Sequence, residues 1–301
     1  MINPDQVAEM LYPAATSTGK PGPIPTVVPT PTHYQLSGET GHRTLWVLFA
    51  GMTLSAGIFA LLSWNVPTSK RIYHITTTLF SLVSALTYFA MASGQASSLS
   101  CHAVRDHHSH VPDTFHDECR QVYWARYVDW ALTTPLILLN LCLLAGVDGA
   151  HTLMAIVADL VMVLAGLFAA YGTDGTAQKW GWFTISCLGY LFVVWHVGLQ
   201  GTRMVQNKGG RVAKLWASVA IYSLAVWAAY PIIWGIATLS HKTSVDTEIL
   251  IYAVLDILAK PVFGLWLLIS HRAIAESNID LGGYWSQGLS AEGRIRIGDE
   301  E

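Results

Sequence analysis

Lys260 sits in the middle of an apolar run, residues 249–270, that is long enough to cross a bilayer. An ammonium at that depth costs at least ~2.5–3.5 kcal/mol on insertion scales. The chain must neutralise it, pair it or use it chemically. Asp256 lies four residues earlier, one helical turn away on the same face. Burial favours the neutral, nucleophilic amine, so Lys260 is a candidate Schiff-base lysine with a carboxylate beside it.

A second constellation lies in residues 123–140. Arg126, Asp129, Thr133 and Asn140 recur at spacings of three, four and seven, which puts them on one helical stripe. Charges inside a span face the bundle interior or a water-filled cavity. At 1.5 Å rise per residue, Asp129 and Asn140 are roughly 16 Å apart along the axis. A polar path with a carboxylate at its centre suits ion or proton movement. The plain alternative is a structural Arg–Asp pair with hydrogen bonds between helices. Pro135 should bend this helix and free a carbonyl. In a later run, Trp227, Tyr230 and Trp234 share one face, an aromatic stripe that without the lysine would read as ordinary core.

The elements that must hold these groups follow from composition. Hydrophobic residues make up 52% of the chain and charged ones 12%, about half the usual charged fraction of a soluble domain. The expected fold class is an all-α membrane protein, a seven-transmembrane helix bundle. Seven apolar segments fall at roughly 43–65, 71–93, 120–144, 149–172, 180–200, 212–239 and 247–270. The net charge of -3 gives no sign of a nucleic-acid partner; the lipid bilayer is the expected one. Residues 1–42 read as a disordered Pro-rich tail without the layout of a cleaved signal peptide. Residues 43–272 form the helical domain, and 273–301 a polar tail. Lys70, Arg71, Arg203, Lys208, Arg211, Lys214 and Arg272 all fall on one side of a seven-span bundle. The positive-inside rule then makes the C-terminus cytoplasmic and the N-terminus extracellular.

Residues 126–136, Arg-Tyr-Val-Asp-Trp-Ala-Leu-Thr-Thr-Pro-Leu, and 255–264, Leu-Asp-Ile-Leu-Ala-Lys-Pro-Val-Phe-Gly, together resemble the microbial (type 1) rhodopsins, and the second motif most resembles the fungal branch. The resemblance covers residues 43–272. It implies all-trans retinal bound to Lys260 as a protonated Schiff base, with Asp129 and Asp256 as counter-ions and Arg126 below them. In family pumps the proton passes to the position of Asp129, with Thr133 hydrogen-bonded to it. Trp130, Thr134, Ile137, Met162, Gly166, Trp182, Trp227, Tyr230 and Trp234 would line the pocket. Tyr88 and Tyr252 fit positions that hydrogen-bond near the counter-ions. Glu248 matches one member of a proton-release pair. The expected register puts Leu239 at the second, with Asp246 nearby.

The departure is Asn140, where family proton pumps usually carry a carboxylic acid that reprotonates the Schiff base. An amide cannot donate that proton. Slow, pH-dependent reprotonation is expected, unless Asp159 or His196 substitutes.

Two readings follow from the resemblance: an outward light-driven proton pump, or a photosensory protein acting through a partner. A channel, a chloride pump and a sodium pump fit less well, and a non-retinal transporter with a buried Lys–Asp pair remains as a third class. None turns over a chemical substrate. A multi-pass protein of the plasma membrane is expected. A homo-oligomer and a signalling partner are left open.

Residues 101–119 hold five His and several carboxylates between Cys101 and Cys119. The spacing fits no compact metal motif, so a solvated loop, closed by a disulfide if extracytoplasmic, is preferred to a metal or pH-sensing site. Cys142 and Cys187 read as packing residues.

Overall fold

The computed structural model describes residues 30–67, 70–108, 112–206, 208 and 210–274. The tails expected over 1–42 and 273–301 lie mostly outside the described residues; where the first is described, residues 33–35 form a strand and the first helix already starts at Glu39, which corrects the expected boundary at 43.

Among the described residues, seven helices are each long and apolar enough to span a membrane: α1 Glu39–Leu62, α2 Ile72–Ala92, α3 Ala125–Ala145, α4 Gly149–Ala170, α5 Ala177–Val205, α6 Gly210–Leu239 and α7 Val245–Ala273. Three strands accompany them: β1 His33–Gln35, β2 Ser98–Asp106 and β3 Thr114–Val122. They form one sheet in the order β1–β3–β2.

The strands correct two expectations. The third span does not begin at residue 120. Residues 120–122 belong to β3, and the helix starts at Ala125. The loop between the cysteines is a hairpin, joined near its base by a Cys101–Cys119 disulfide. Among the described residues, no group of three or more His, Cys, Asp or Glu is placed to hold a metal ion.

The described residues divide into two compact units, 30–33 with 103–108 and 112–117, and the described residues of 34–102 with those of 118–274. In the first, Arg105 donates to Asp113 Oδ2 at 2.6 Å and the His108 N–H to Asp113 Oδ1 at 3.1 Å. The His108 backbone donor, helped by Arg105, holds the Asp113 carboxyl below its usual range.

The second unit contains the helices. Local chemistry sets their ends. Asp148 caps α4 by accepting from the N–H groups of Ala150 and His151, and Ser244 caps α7 by accepting from Thr247. At the end of α3, Gly146 adopts φ 79°, and its N–H reaches the Cys142 carbonyl at 2.9 Å. Lys208 adds a contact of 3.2 Å to the Leu144 carbonyl, and burial lowers the pKa of its amine. Pro135 is accommodated inside α3.

The outward faces carry Leu54, Leu61, Leu188 and Ile221, all exposed. Such faces suit lipid rather than water. Inside, Phe59, Phe80, Leu138, Trp216, Phe263 and Leu267 form an apolar cluster towards the C-terminal ends of α3 and α7. Gly264 is needed there, because a Cβ would lie 2.8 Å from the Phe59 ring. The segment of α7 just before it, Leu258–Val262, is a π-helical turn containing Lys260 and Pro261. Proline supplies no N–H to the regular ladder, and such widened turns recur at functional sites. Tyr222 of α6 donates to the Leu258 carbonyl at 3.0 Å.

Candidate functional site

Lys260 is 1% exposed, Asp129 1% and Asp256 0%. The three form one buried ion cluster between α3 and α7. Lys260 Nζ donates directly to Asp129 Oδ2 and lies 3.5 Å from Asp256 Oδ1. Each buried ion carries several kcal/mol of desolvation cost, so a cluster this dry survives only when its charges are paired and its lone pairs used. The remaining oxygens are used. Asp256 accepts from the Tyr88 hydroxyl, from Tyr230 at 2.7 Å and from Trp130 Nε1 at 3.3 Å. Asp129 accepts from Ser84 Oγ at 2.6 Å.

The second layer lies towards the N-terminal end of α3. Glu248 accepts from Arg126 at 2.6 Å and from Arg120 at 2.7 Å. The Arg126 guanidinium also stands 4.3 Å from the Tyr252 ring centroid, a cation–π contact. Lys260, Arg126 and Arg120 thus face Asp129, Asp256 and Glu248, so the buried charges balance.

Beside Lys260 lies a largely apolar cavity. Trp130, Thr134, Ile137, Met162 and Gly166 line it from α3 and α4. Trp227, Tyr230 and Trp234 line it from α6, and the lysine forms one of its walls. Asp159 accepts from Thr134 next to this cavity. His196 bonds the Phe192 carbonyl at 3.0 Å within α5.

Several expectations change. Thr133 donates to the backbone carbonyl of Asp129 at 2.8 Å, as a helical threonine does, and not to its carboxylate. Ser84 of α2 takes that role. No described group reaches hydrogen-bond distance of the Tyr252 hydroxyl, which leaves Tyr252 contributing its ring. Trp182 lies outside the cavity lining and packs on Phe168, ring centroids 5.0 Å apart. Asp246 accepts from the Gly38 N–H at 2.6 Å and does not partner Glu248. Asn140 is fully buried, and its Oδ1 accepts from Thr76 at 2.6 Å.

Several contributors were not anticipated. Tyr127 and Ser186 line the cavity, and Arg120 bonds Glu248. Ser84 was legible: Thr77, Ser81, Ser84 and Tyr88 recur at four, three and four, a polar stripe on α2 that points at the same interior. Arg120 was hidden because the third apolar run had absorbed it.

Residues 40–274 match the family model described as bacteriorhodopsin-like protein. The chain belongs to this family of microbial rhodopsins. The rhodopsin is 67% identical to Opsin-1 of Neurospora crassa over 304 aligned residues, covering all of both chains. It is similar to a solved light-driven proton pump from Leptosphaeria maculans, with 52% identity and a TM-score of 0.79. That match covers 82% of this rhodopsin and 100% of the pump. A light-driven proton pump from Coccomyxa subellipsoidea gives 35% identity and a TM-score of 0.71, covering 79% and 100% of the two chains. Members of the family bind retinal. The residues of this rhodopsin fit such a group: the buried Lys260 amine opens onto an apolar, aromatic-walled cavity, with carboxylates behind the amine.

Proposed function

We propose that this rhodopsin is a light-driven outward proton pump carrying all-trans retinal on Lys260, with its C-terminus in the cytoplasm and its N-terminus outside, in the plasma membrane. The observation that carries the proposal is the Lys260–Asp129–Asp256 cluster at the wall of the aromatic cavity. Similarity to proton pumps of known structure supports it. Retinal bound there would supply the absorption of light and a light-driven change in the environment of the Lys260 nitrogen.

The chain's own residues do the rest. Trp130, Trp227 and Trp234 shape the cavity and exclude water. Asp129, in direct contact with Lys260 Nζ, accepts the proton. Asp256 has three donors of its own besides the lysine, which hold it as a lasting anion beside the nitrogen. Ser84 orients the Asp129 carboxylate. Arg126, Arg120 and Glu248 form the outward side, and Glu248 belongs to the exit route.

Resupply is the slow part. Asn140 occupies the donor position and has no acidic proton. The next proton must cross the apolar cluster from the cytoplasm. The state in which the Lys260 nitrogen lacks its proton should therefore decay more slowly as pH rises, and faster when a small permeant weak acid is added. Flash spectroscopy showing a fast decay independent of pH would contradict this.

Asn140 favours a second reading, a photosensory protein whose long-lived state signals through a partner. Both readings require a visible absorption band on addition of retinal, abolished by Lys260→Ala. A band that survives Lys260→Ala would overturn both.

A further inference from the structure

Asn140 lies eleven residues beyond Asp129, and His271 lies eleven residues beyond Lys260. α3 and α7 cross the membrane in the same direction, and Asp129 touches Lys260. Asn140 and His271 are therefore at one depth, each roughly 16 Å from the ion cluster. His271 is 4% exposed. It packs edge-on against Tyr73, with centroids 4.7 Å apart, and 6.3 Å from the ring of His74. His74 and Tyr73 open α2, one turn before Thr76, which bonds Asn140. Both are at least nine-tenths buried, and no described group hydrogen-bonds His74 Nδ1 or the Tyr73 hydroxyl. Unpaired polar atoms in an otherwise apolar cluster are costly, and they call for a role.

Resting on the pump reading, we propose that His74 and His271 are the proton-uptake pair that serves Lys260 in place of a carboxylic donor at Asn140. A proton from cytoplasmic solvent adds to an imidazole. It leaves that imidazole for the Lys260 nitrogen, and the ring returns to neutral. Imidazole suits the task because it accepts at one nitrogen and releases from the other. The Tyr73 hydroxyl and the Thr76–Asn140 pair line the route. The charged groups bearing on His74 are Arg71, just before α2, and Arg272 on α7, and His74 itself bears on His271. From α3, the neutral Asn140 lies at this depth, bonded to Thr76.

The test uses full-length protein carrying His271→Gln or His74→Gln, each giving the other a check should one variant fail to form pigment. The visible band and the rate at which the Lys260 nitrogen loses its proton should match the parent. Its recovery should slow by about 10²-fold, the usual worth of a positioned acid–base group, should follow bulk proton concentration linearly, and should be restored by added imidazole. In retinal-free protein, nitrogen-15 NMR should show His74→Gln moving the titration of His271. Unaltered recovery in both variants, with an unmoved titration, would overturn the uptake pair alone. A parent in which the Lys260 nitrogen never loses its proton under light would overturn the pump reading with it.

Discussion

At the scale of single residues, the account turns on an asymmetry around Lys260. It touches Asp129, its proposed acceptor, and the proposed donor position on the other side holds Asn140, buried against Thr76. Restoring the acid should restore speed. Asn140→Asp is expected to quicken recovery of the Lys260 proton by about 10²-fold or more, read by flash spectroscopy across pH, with the pH dependence flattened. An unchanged rate would show that resupply does not pass Asn140. The core of the site was legible in the sequence, because a lysine and aspartates inside apolar runs have few places to go. The detail was less so. The role expected of Thr133 fell to Ser84, since a helical threonine satisfies its hydroxyl on its own backbone, and the nearest side-chain donor comes from another helix. The polar stripe on α2 marks Ser84 as inward-facing, but only packing pairs it with Asp129.

At the scale of elements, seven apolar runs gave seven helices, and errors collected at the ends. The third run was read as starting at residue 120 because Val122, Tyr123 and Trp124 continue its hydrophobicity. Pairing with neighbouring strands makes 114–122 a strand instead, and strand pairing leaves no mark on a local apolar window. Helix α4 offers a test of end chemistry. The N–H of His151, with lesser help from the His151 charge and the Ala150 N–H, holds the Asp148 carboxyl below its ordinary value. A carboxyl depressed in the folded state stabilises above its unfolded pKa, about 4, and loses that contribution as pH falls through its folded value. Hydrogen exchange at Ala150 and His151 should therefore gain protection-loss only in acid, beyond the intrinsic pH effect, and Asp148→Asn should remove that acid dependence. An identical acid response in the variant would contradict the capping account.

At the scale of the whole molecule, apolar outer faces and paired buried charges describe a bundle that uses lipid as its solvent and holds its central ions in two layers, around Lys260 and around Glu248. Aromatic walls close the cavity on one side of Lys260, and the arginine–glutamate group lies towards the N-terminal end of α3. The apolar cluster containing Phe59, Phe80 and Leu138 lies towards the opposite end. On the proposed pump reading, the polar end is the exit and the dry end the entrance. The most direct measurement is the light-induced pH change of a suspension of retinal-supplied cells, with and without a protonophore. The account predicts acidification of the medium that the protonophore abolishes. An intact photocycle with no pH change, or a current that reverses with membrane voltage, would contradict it.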